Sequence, residues 1–274
     1  MKLYYADTDL HTADFVVLGL PYDRTSSFIP GARFGPQFIR MCAENIEDYS
    51  PYQNRSVGDL RICDLEDVVF ETRDWFIETQ KTVENILNRE KRFVFLGGEH
   101  TITVPVVQAF KKQYTALSVV QFDAHCDLRE EYLGEKVCHA TAMRRVCDTV
   151  GPDNLYQFGI RSGTQEEFSF GQHLYRFRVA EHLLSVVESI PEPIYVTIDI
   201  DVLNPCAVPA VSTPEPGGIA YNELVGALLT LKKKKIVGAD IVEYNPLAAS
   251  PWSSGSTAAE LLRELLLVMT PATQ

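Results

Sequence analysis

The chain has 274 residues, of which 46% are hydrophobic, so it can bury the core of one large domain or two small ones. Its formal net charge of -12 and pI near 5.0 disfavour nucleic acid and anionic membranes as partners and suit a small cationic substrate. The N terminus lacks an apolar signal core, and no run approaches the ~18 apolar residues of a membrane span, which predicts a cytoplasmic protein without a membrane partner.

Apolar runs alternate with helical patterns along the whole chain, and no linker interrupts them, so we expect a single domain over residues 1–274. Candidate strands, in chain order, lie at 15–20, 60–64, 93–96, 117–122, 155–160, 174–177 (a weak one), 194–199 and 236–242. Candidate helices lie at 36–46, 72–89, 102–114, 141–150, 222–232 and 256–269. Several strands are apolar on both faces, which predicts a parallel sheet between two layers of helices.

The run at residues 119–127 carries three metal-type side chains at its polar end. Side chains of a strand repeat with period two, so Asp123 and His125 leave the strand end on one face, with Asp127 just beyond in the loop. This pattern is typical of a buried metal site.

Two further apolar runs end in residues of the same kind. Residues 194–201 end with Asp199 and Asp201 in register, and residues 93–100 end at His100. In open α/β sheets the ligand crevice lies at the carboxyl ends of the strands, where all three clusters are expected. Six ligands suit two ions better than one. Four carboxylates with two imidazoles favour manganese, or else iron or magnesium, over a thiolate-bound structural zinc.

Four of these segments, in this order, resemble the motifs of the ureohydrolase (arginase and agmatinase) family: 97–103, 123–127, 198–205 and 240–246. Residues 26–36 and 213–218 also match, so the resemblance covers nearly the whole chain. The segment 127–145 resembles the bacterial and archaeal agmatinase branch. The resemblance implies an arginase-like α/β/α sandwich whose mainly parallel sheet has about eight strands.

The resemblance also implies two Mn²⁺ ions per chain. One ion would be held by His100 and Asp127 and the other by His125 and Asp201, with Asp123 and Asp199 bridging both. Four carboxylates offset the charge of two divalent ions, and ions about 3.5–4 Å apart can share one water and lower its pKa towards ~7. That water is the implied nucleophile for the carbon of a guanidinium group.

Three residues receive catalytic roles from the resemblance. Glu243, after the apolar run 236–242, is the candidate anchor for the guanidinium, because a carboxylate accepts two parallel N–H bonds from it. Asp127 is the implied proton donor to the leaving amine, and His139 the implied shuttle or electrostatic support. The alternatives are a strand-end charge for Glu243 and a helix N-terminal histidine bonded to a backbone group for His139.

The implied reaction is hydrolysis of agmatine to putrescine and urea, with N-substituted agmatine, guanidinobutyrate and arginine as alternative substrates. We expect agmatine over arginine, because the α-carboxylate of arginine would enter an acidic loop carrying Glu130 and Glu131. Asn204 and residues 209–213 depart from the family pattern, and the second departure bears on the substrate rim. A metal-dependent amide hydrolase and a non-catalytic relative remain as alternatives, but the complete bridging pair and the full ligand set argue against them. The family likeness further implies a homotrimer or homohexamer.

Overall fold

The computed structural model describes residues 1–71 and 74–270. The strands, in chain order, are β1 (Phe15–Leu20), β2 (Tyr49–Ser50), β3 (Arg55–Ser56), β4 (Ile62–Asp67), β5 (Arg92–Gly97), β6 (Ser118–Phe122), β7 (Leu155–Phe158), β8 (His173–Tyr175), β9 (Ile194–Asp199) and β10 (Ile236–Val242). Within the described residues, eight of them form one sheet in the order β4-β1-β5-β10-β9-β6-β7-β8, with every neighbouring pair parallel. The short strands β2 and β3 form a separate antiparallel hairpin.

Helices cover both faces of this sheet. In chain order they are α1 (Gly35–Ala43), α2 (Trp75–Ile86), α3 (Thr103–Gln113), α4 (Ala142–Val150), α5 (Gln165–Phe170), α6 (Val179–Val186), α7 (Tyr221–Thr230) and α8 (Pro251–Val268). Helices α1, α6, α7 and α8 contribute to one hydrophobic core, and α2, α3 and α4 to a second. None of the helices in the described ranges combines the length and the apolar character that crossing a bilayer requires.

Strand β1 explains why both faces had to be covered. Phe15 and Val17 belong to the first core and Val16 and Leu18 to the second, so the strand is apolar on both sides. The predicted α/β/α sandwich with a parallel sheet is therefore confirmed, and the bounds of β1, β9 and β10 agree with the predicted ones.

Several predicted bounds were wrong, and some elements were not predicted at all. Helix α8 begins at Pro251 rather than at residue 256, because a proline is favoured in the first turn of a helix. Residues 72 and 73, where the second predicted helix was to begin, lie outside the described residues. The hairpin and the short helices α5 and α6 were missed. Helix α5 has only six residues, and its one clear sequence signal is the capping box formed by Thr164 and Glu167.

The sheet order brings the predicted ligand segments together. Strands β5, β10, β9 and β6 are consecutive neighbours, and because all run parallel their carboxyl ends lie at one edge. The residues at the ends of these strands and just after them therefore converge at this edge. They are His100, Asp123 to Asp127, Asp199 to Asp201 and Glu243.

Candidate metal centre and active-site cleft

The first cluster of possible metal ligands surrounds the buried imidazole of His100. Its Nδ1 lies 3.0 Å from Asp123 Oδ2, 3.2 Å from Asp127 Oδ2 and 3.6 Å from Asp199 Oδ2. This nitrogen is buried and has no hydrogen-bond partner within the described residues. His100, Asp123 and Asp199 thus each offer a ligand atom within 4.8 Å of the other two, and Asp127 lies beside His100.

The second cluster surrounds His125. Its Nδ1 lies 2.9 Å from Asp201 Oδ2 and 3.6 Å from Asp123 Oδ1. Asp201 Oδ2 is another buried atom for which the described part of the chain provides no hydrogen-bond partner. Asp123 presents one oxygen to each histidine, which is the arrangement that a bridging carboxylate requires.

The residues present fit divalent cations. Burial, followed by the charge of Asp123, raises the pKa of Asp127 to about 6, and burial with neighbouring carboxylates also raises the pKa of Asp199. Without a cation, burial and the like charges nearby thus disfavour the ionised form of these two carboxyl groups. Oxygen and imidazole donors suit manganese, iron or magnesium, whereas a structural zinc site would use thiolates. The two clusters share Asp123. Bound cations would offset this charge and satisfy the two orphaned atoms.

A hydrogen-bonded chain behind His100 sets its orientation. His100 Nε2 lies 2.8 Å from Thr197 Oγ1, and that hydroxyl donates to Asp240 Oδ1 over 2.6 Å. Thr103 and Tyr195 donate to the other oxygen of Asp240. With Nε2 engaged in this way, Nδ1 is the nitrogen that faces the carboxylates, as a histidine ligand requires.

The carboxylates are held in a similar way. Gln121 Nε2 donates to Asp123 Oδ2 over 2.6 Å, and Gln157 in turn donates to the Gln121 oxygen over 2.6 Å. Asp199 Oδ1 accepts from the backbone N–H of Asp201 over 2.9 Å. The glutamines were not predicted from the sequence, although Gln121, in β6, lies only two residues before Asp123.

His139 lies beside a loop of the N-terminal segment. Its Nε2 is 3.1 Å from Ser27 Oγ, and its backbone N–H donates to Thr25 Oγ1 over 3.3 Å. The Thr25 backbone and hydroxyl both donate to the fully buried Glu99, which holds this loop in place. The ring thus has a side-chain hydroxyl as a partner, and the His139 backbone N–H makes a second contact to this loop. Burial lowers the pKa of His139 to about 4.

Glu243 is buried, with 5% of its surface exposed, and it lines the same cleft as His139. Its Oε1 accepts from the backbone N–H of His100 over 2.8 Å. Burial and the nearby Glu99 raise its pKa to about 8, so a neighbouring positive charge would favour its ionised form. One oxygen thus has a fixed partner, and the other is available to a ligand.

The cleft has a volume of about 230 Å³, and Asp127, His139 and Glu243 all line it. Among the described residues of its lining, neither Glu130 nor Glu131 is present. Glu130 instead forms ion pairs with Arg144 at 2.8 Å and Arg145 at 3.2 Å. The expectation that these two glutamates would repel an α-carboxylate therefore rested on a wrong placement.

Several cleft residues were not given a role from the sequence, among them Arg129, Tyr132 and Glu215. Tyr132 lies under the Arg129 guanidinium, 4.7 Å from ring centroid to Cζ, and its ring meets the His139 ring edge-on at 5.8 Å. Glu215 belongs to segment 213–218, which had been matched as a motif without a role. Contacts of this kind depend on the fold, and no spacing in the sequence signals them.

Comparison with known proteins agrees with this arrangement. Residues 13–268 match the sequence profile of the arginase family. The chain is 39% identical to the agmatinase of Bacillus subtilis (strain 168), over 93% of this chain and 91% of that protein. It is 36% identical to the N(1)-aminopropylagmatine ureohydrolase of Thermococcus kodakarensis, over 89% of this chain and 86% of that protein.

The fold has a close counterpart among solved structures. The agmatine ureohydrolase of Thermoplasma volcanium superposes with a TM-score of 0.89 and 31% identity, over 98% of this chain and 94% of that one. The profile match covers far more than half of the chain, and the relatives are similar over nearly their full lengths. The chain therefore belongs to the arginase family.

Proposed function

We propose that this protein hydrolyses agmatine to putrescine and urea, with residues 1–274 forming a single ureohydrolase domain. The observation that carries the proposal is the pair of histidine–carboxylate clusters that share Asp123 at the base of a cleft also lined by Glu243. The similarity to agmatinases over most of the chain supports agmatine as the substrate.

The proposed ligands divide between two cations, which we propose are Mn²⁺. His100 and Asp127 would hold one and His125 and Asp201 the other, while Asp123 and Asp199 would contact both. When bound, the ions supply an activated water and positive charge that stabilises the developing negative charge.

Glu243 is the proposed anchor for the guanidinium group. A guanidinium is planar and delocalised, and it is a poor electrophile, so it must be held in line with the attacking water. Glu243 lines the cleft, and the His100 N–H fixes its Oε1. A carboxylate held in this way accepts charge-assisted N–H bonds from the substrate without first having to be ordered.

Asp127 and His139 are the proposed proton carriers. Cleavage of the carbon–nitrogen bond releases an amine, which leaves only when it is protonated. Asp127, whose carboxyl group lies in the cleft, would take a proton from the attacking water and deliver it to this amine. His139 would exchange protons with solvent, since its Nε2 is bonded to the exposed Ser27 hydroxyl.

The test is urea release by the Mn²⁺-loaded protein with agmatine, N(1)-aminopropylagmatine, guanidinobutyrate and arginine. Agmatine is expected to give the highest kcat/KM. A higher kcat/KM for one of the other three compounds would make that compound the substrate in place of agmatine. Absence of urea with all four compounds would refute the proposal that the protein is a ureohydrolase. We further propose a cytoplasmic homotrimer or homohexamer, for which sedimentation analysis provides the test.

A further inference from the structure

One carboxylate in the wall of the cleft lies outside the proposed ligands and outside the guanidinium anchor. The side chain of Glu215 is 34% exposed and lines the cleft. Its Oε1 accepts from Ser162 Oγ over 2.8 Å and lies 3.6 Å from His125 Nε2. Within the described residues, its Oε2 has no hydrogen bond or ion pair. Glu215 therefore keeps one acceptor atom for a ligand.

The loop that carries Glu215 is fixed by one arginine. Arg161 Nη2 donates to the carbonyl oxygens of Glu215 at 2.9 Å and Asp201 at 2.8 Å, and Arg161 Nε donates to that of Pro216 at 3.0 Å. These bonds tie the loop to the segment that supplies a proposed metal ligand. The Glu215 carboxylate is thus held at a set position relative to the reaction centre, which limits the entropy lost when a ligand binds.

The other charged groups that line this part of the cleft already have partners. Glu167 accepts from the backbone N–H of Leu128 over 2.9 Å and from that of Thr164 over 2.8 Å. Arg129 lies 3.4 Å from Glu167 and stacks over Tyr132. Its positive charge is therefore offset. Apart from the proposed metal ligands and the guanidinium anchor, Glu215 is thus the charged group of the described lining that keeps an acceptor atom for a ligand.

We propose that Glu215 binds the distal ammonium group of the substrate and thereby selects guanidino compounds with a cationic tail. This inference rests on the proposed function, since Glu243 and the metal ligands must hold the guanidinium end. An ammonium ion needs acceptors, and Glu215 offers a free charged one within the same cleft. A neutral or anionic tail gains nothing from this carboxylate, and an anionic tail is repelled by it.

The test compares wild type with Glu215→Gln on three substrates of similar length: agmatine, butylguanidine with a neutral tail, and 4-guanidinobutyrate with an anionic tail. For agmatine, the loss of a partly solvated charge-assisted bond is expected to lower kcat/KM by roughly 10- to 100-fold, mainly through KM. Butylguanidine is expected to be hydrolysed as by wild type, and guanidinobutyrate at least as well. Glu215→Asp, which keeps the charge, is expected to recover part of the preference for agmatine.

Glu131→Gln is the matched control, because it removes an equal charge from an exposed residue outside the lining of the cleft. It is expected to leave all three substrates unaffected. An equal loss of kcat/KM on all three substrates in Glu215→Gln would show that Glu215 acts through His125. That result would overturn the role of Glu215 in binding the ammonium group but would leave the proposed function standing. No urea from any substrate with the wild-type protein would overturn the proposed function, and this assignment with it. Metal content and thermal stability, measured on each variant, show whether the variant is intact.

Discussion

Replacing Glu243 by glutamine tests the anchor for the guanidinium group. The side chain is buried, and its Oε1 accepts from the His100 N–H over 2.8 Å. In Glu243→Gln the amide oxygen must take this position, because an NH₂ group there would face another donor. The NH₂ group then occupies the position of Oε2 and meets the N–H donors of the guanidinium. The substitution thus removes the charge and also places donor against donor.

The expected loss follows from this geometry. Breaking a desolvated charge pair costs on the order of 2–5 kcal/mol, which corresponds to a fall of roughly 30- to several-thousand-fold in kcat/KM. Because the His100 N–H fixes the orientation of the amide, we expect a value in the upper part of that range. The ligands are untouched, so the variant is expected to keep its full complement of metal.

The assay is urea release from agmatine by Mn²⁺-loaded Glu243→Gln, with elemental analysis of the same sample. Glu131→Gln serves as the control for loss of one negative charge outside the cleft. Turnover close to that of wild type would remove Glu243 from the mechanism. Loss of metal together with activity would instead show that Glu243 supports the metal centre through His100.

Four further substitutions test the site and the fold. Asp123→Asn and Asp199→Asn are each expected to hold clearly fewer than two Mn²⁺ ions per chain in elemental analysis, since each bridging carboxylate serves both ions, and retention of two would refute the bridging roles. Thr25→Val removes the hydroxyl that donates to Glu99 and accepts from the His139 N–H. The variant is expected to keep its metal, and its kcat is expected to fall about tenfold. An unchanged kcat would show that this contact does not position His139. Arg40→Met leaves the buried carboxylate of Asp64 without a counter-charge. The free energy of unfolding, measured by chemical denaturation, is therefore expected to fall by about 3–5 kcal/mol, and a loss below about 1 kcal/mol would contradict this expectation.

The sequence predicted those parts of the protein that follow from side-chain periodicity. Strands β9 and β10 are apolar on both faces, and their predicted bounds agree with the structure. A ligand that follows a buried parallel strand is carried to the carboxyl edge of the sheet, so His100, Asp123 and Asp199 meet there although they are far apart in sequence. Local pattern and strand direction together sufficed to predict this cluster.

The walls of the cleft were not predictable in the same way, because they depend on contacts between loops. Glu130 and Glu131 stand next to Arg129 in sequence, yet only Arg129 lines the cleft. Glu130 faces away because it pairs with two arginines of α4, a contact that counting charges along the loop cannot show. Glu215, one of the carboxylates that do line the cleft, comes from segment 213–218, far from residues 129–131 in the sequence.

Backbone conformation links the chemistry of the site to its stability. Asp127 and Glu243, which we propose act in the reaction, have positive φ angles of 53° and 64°, which residues other than glycine rarely adopt. Such strain costs on the order of 1–3 kcal/mol per residue and persists only where surrounding contacts enforce it. The Glu243 N–H donates to Gly98 O while its carboxylate accepts from the His100 N–H, and the Asp127 carbonyl accepts from the Arg144 N–H. These bonds connect the strained residues to the turn after β5 and to α4, so the rigid sheet edge maintains the conformation that directs both carboxylates into the cleft.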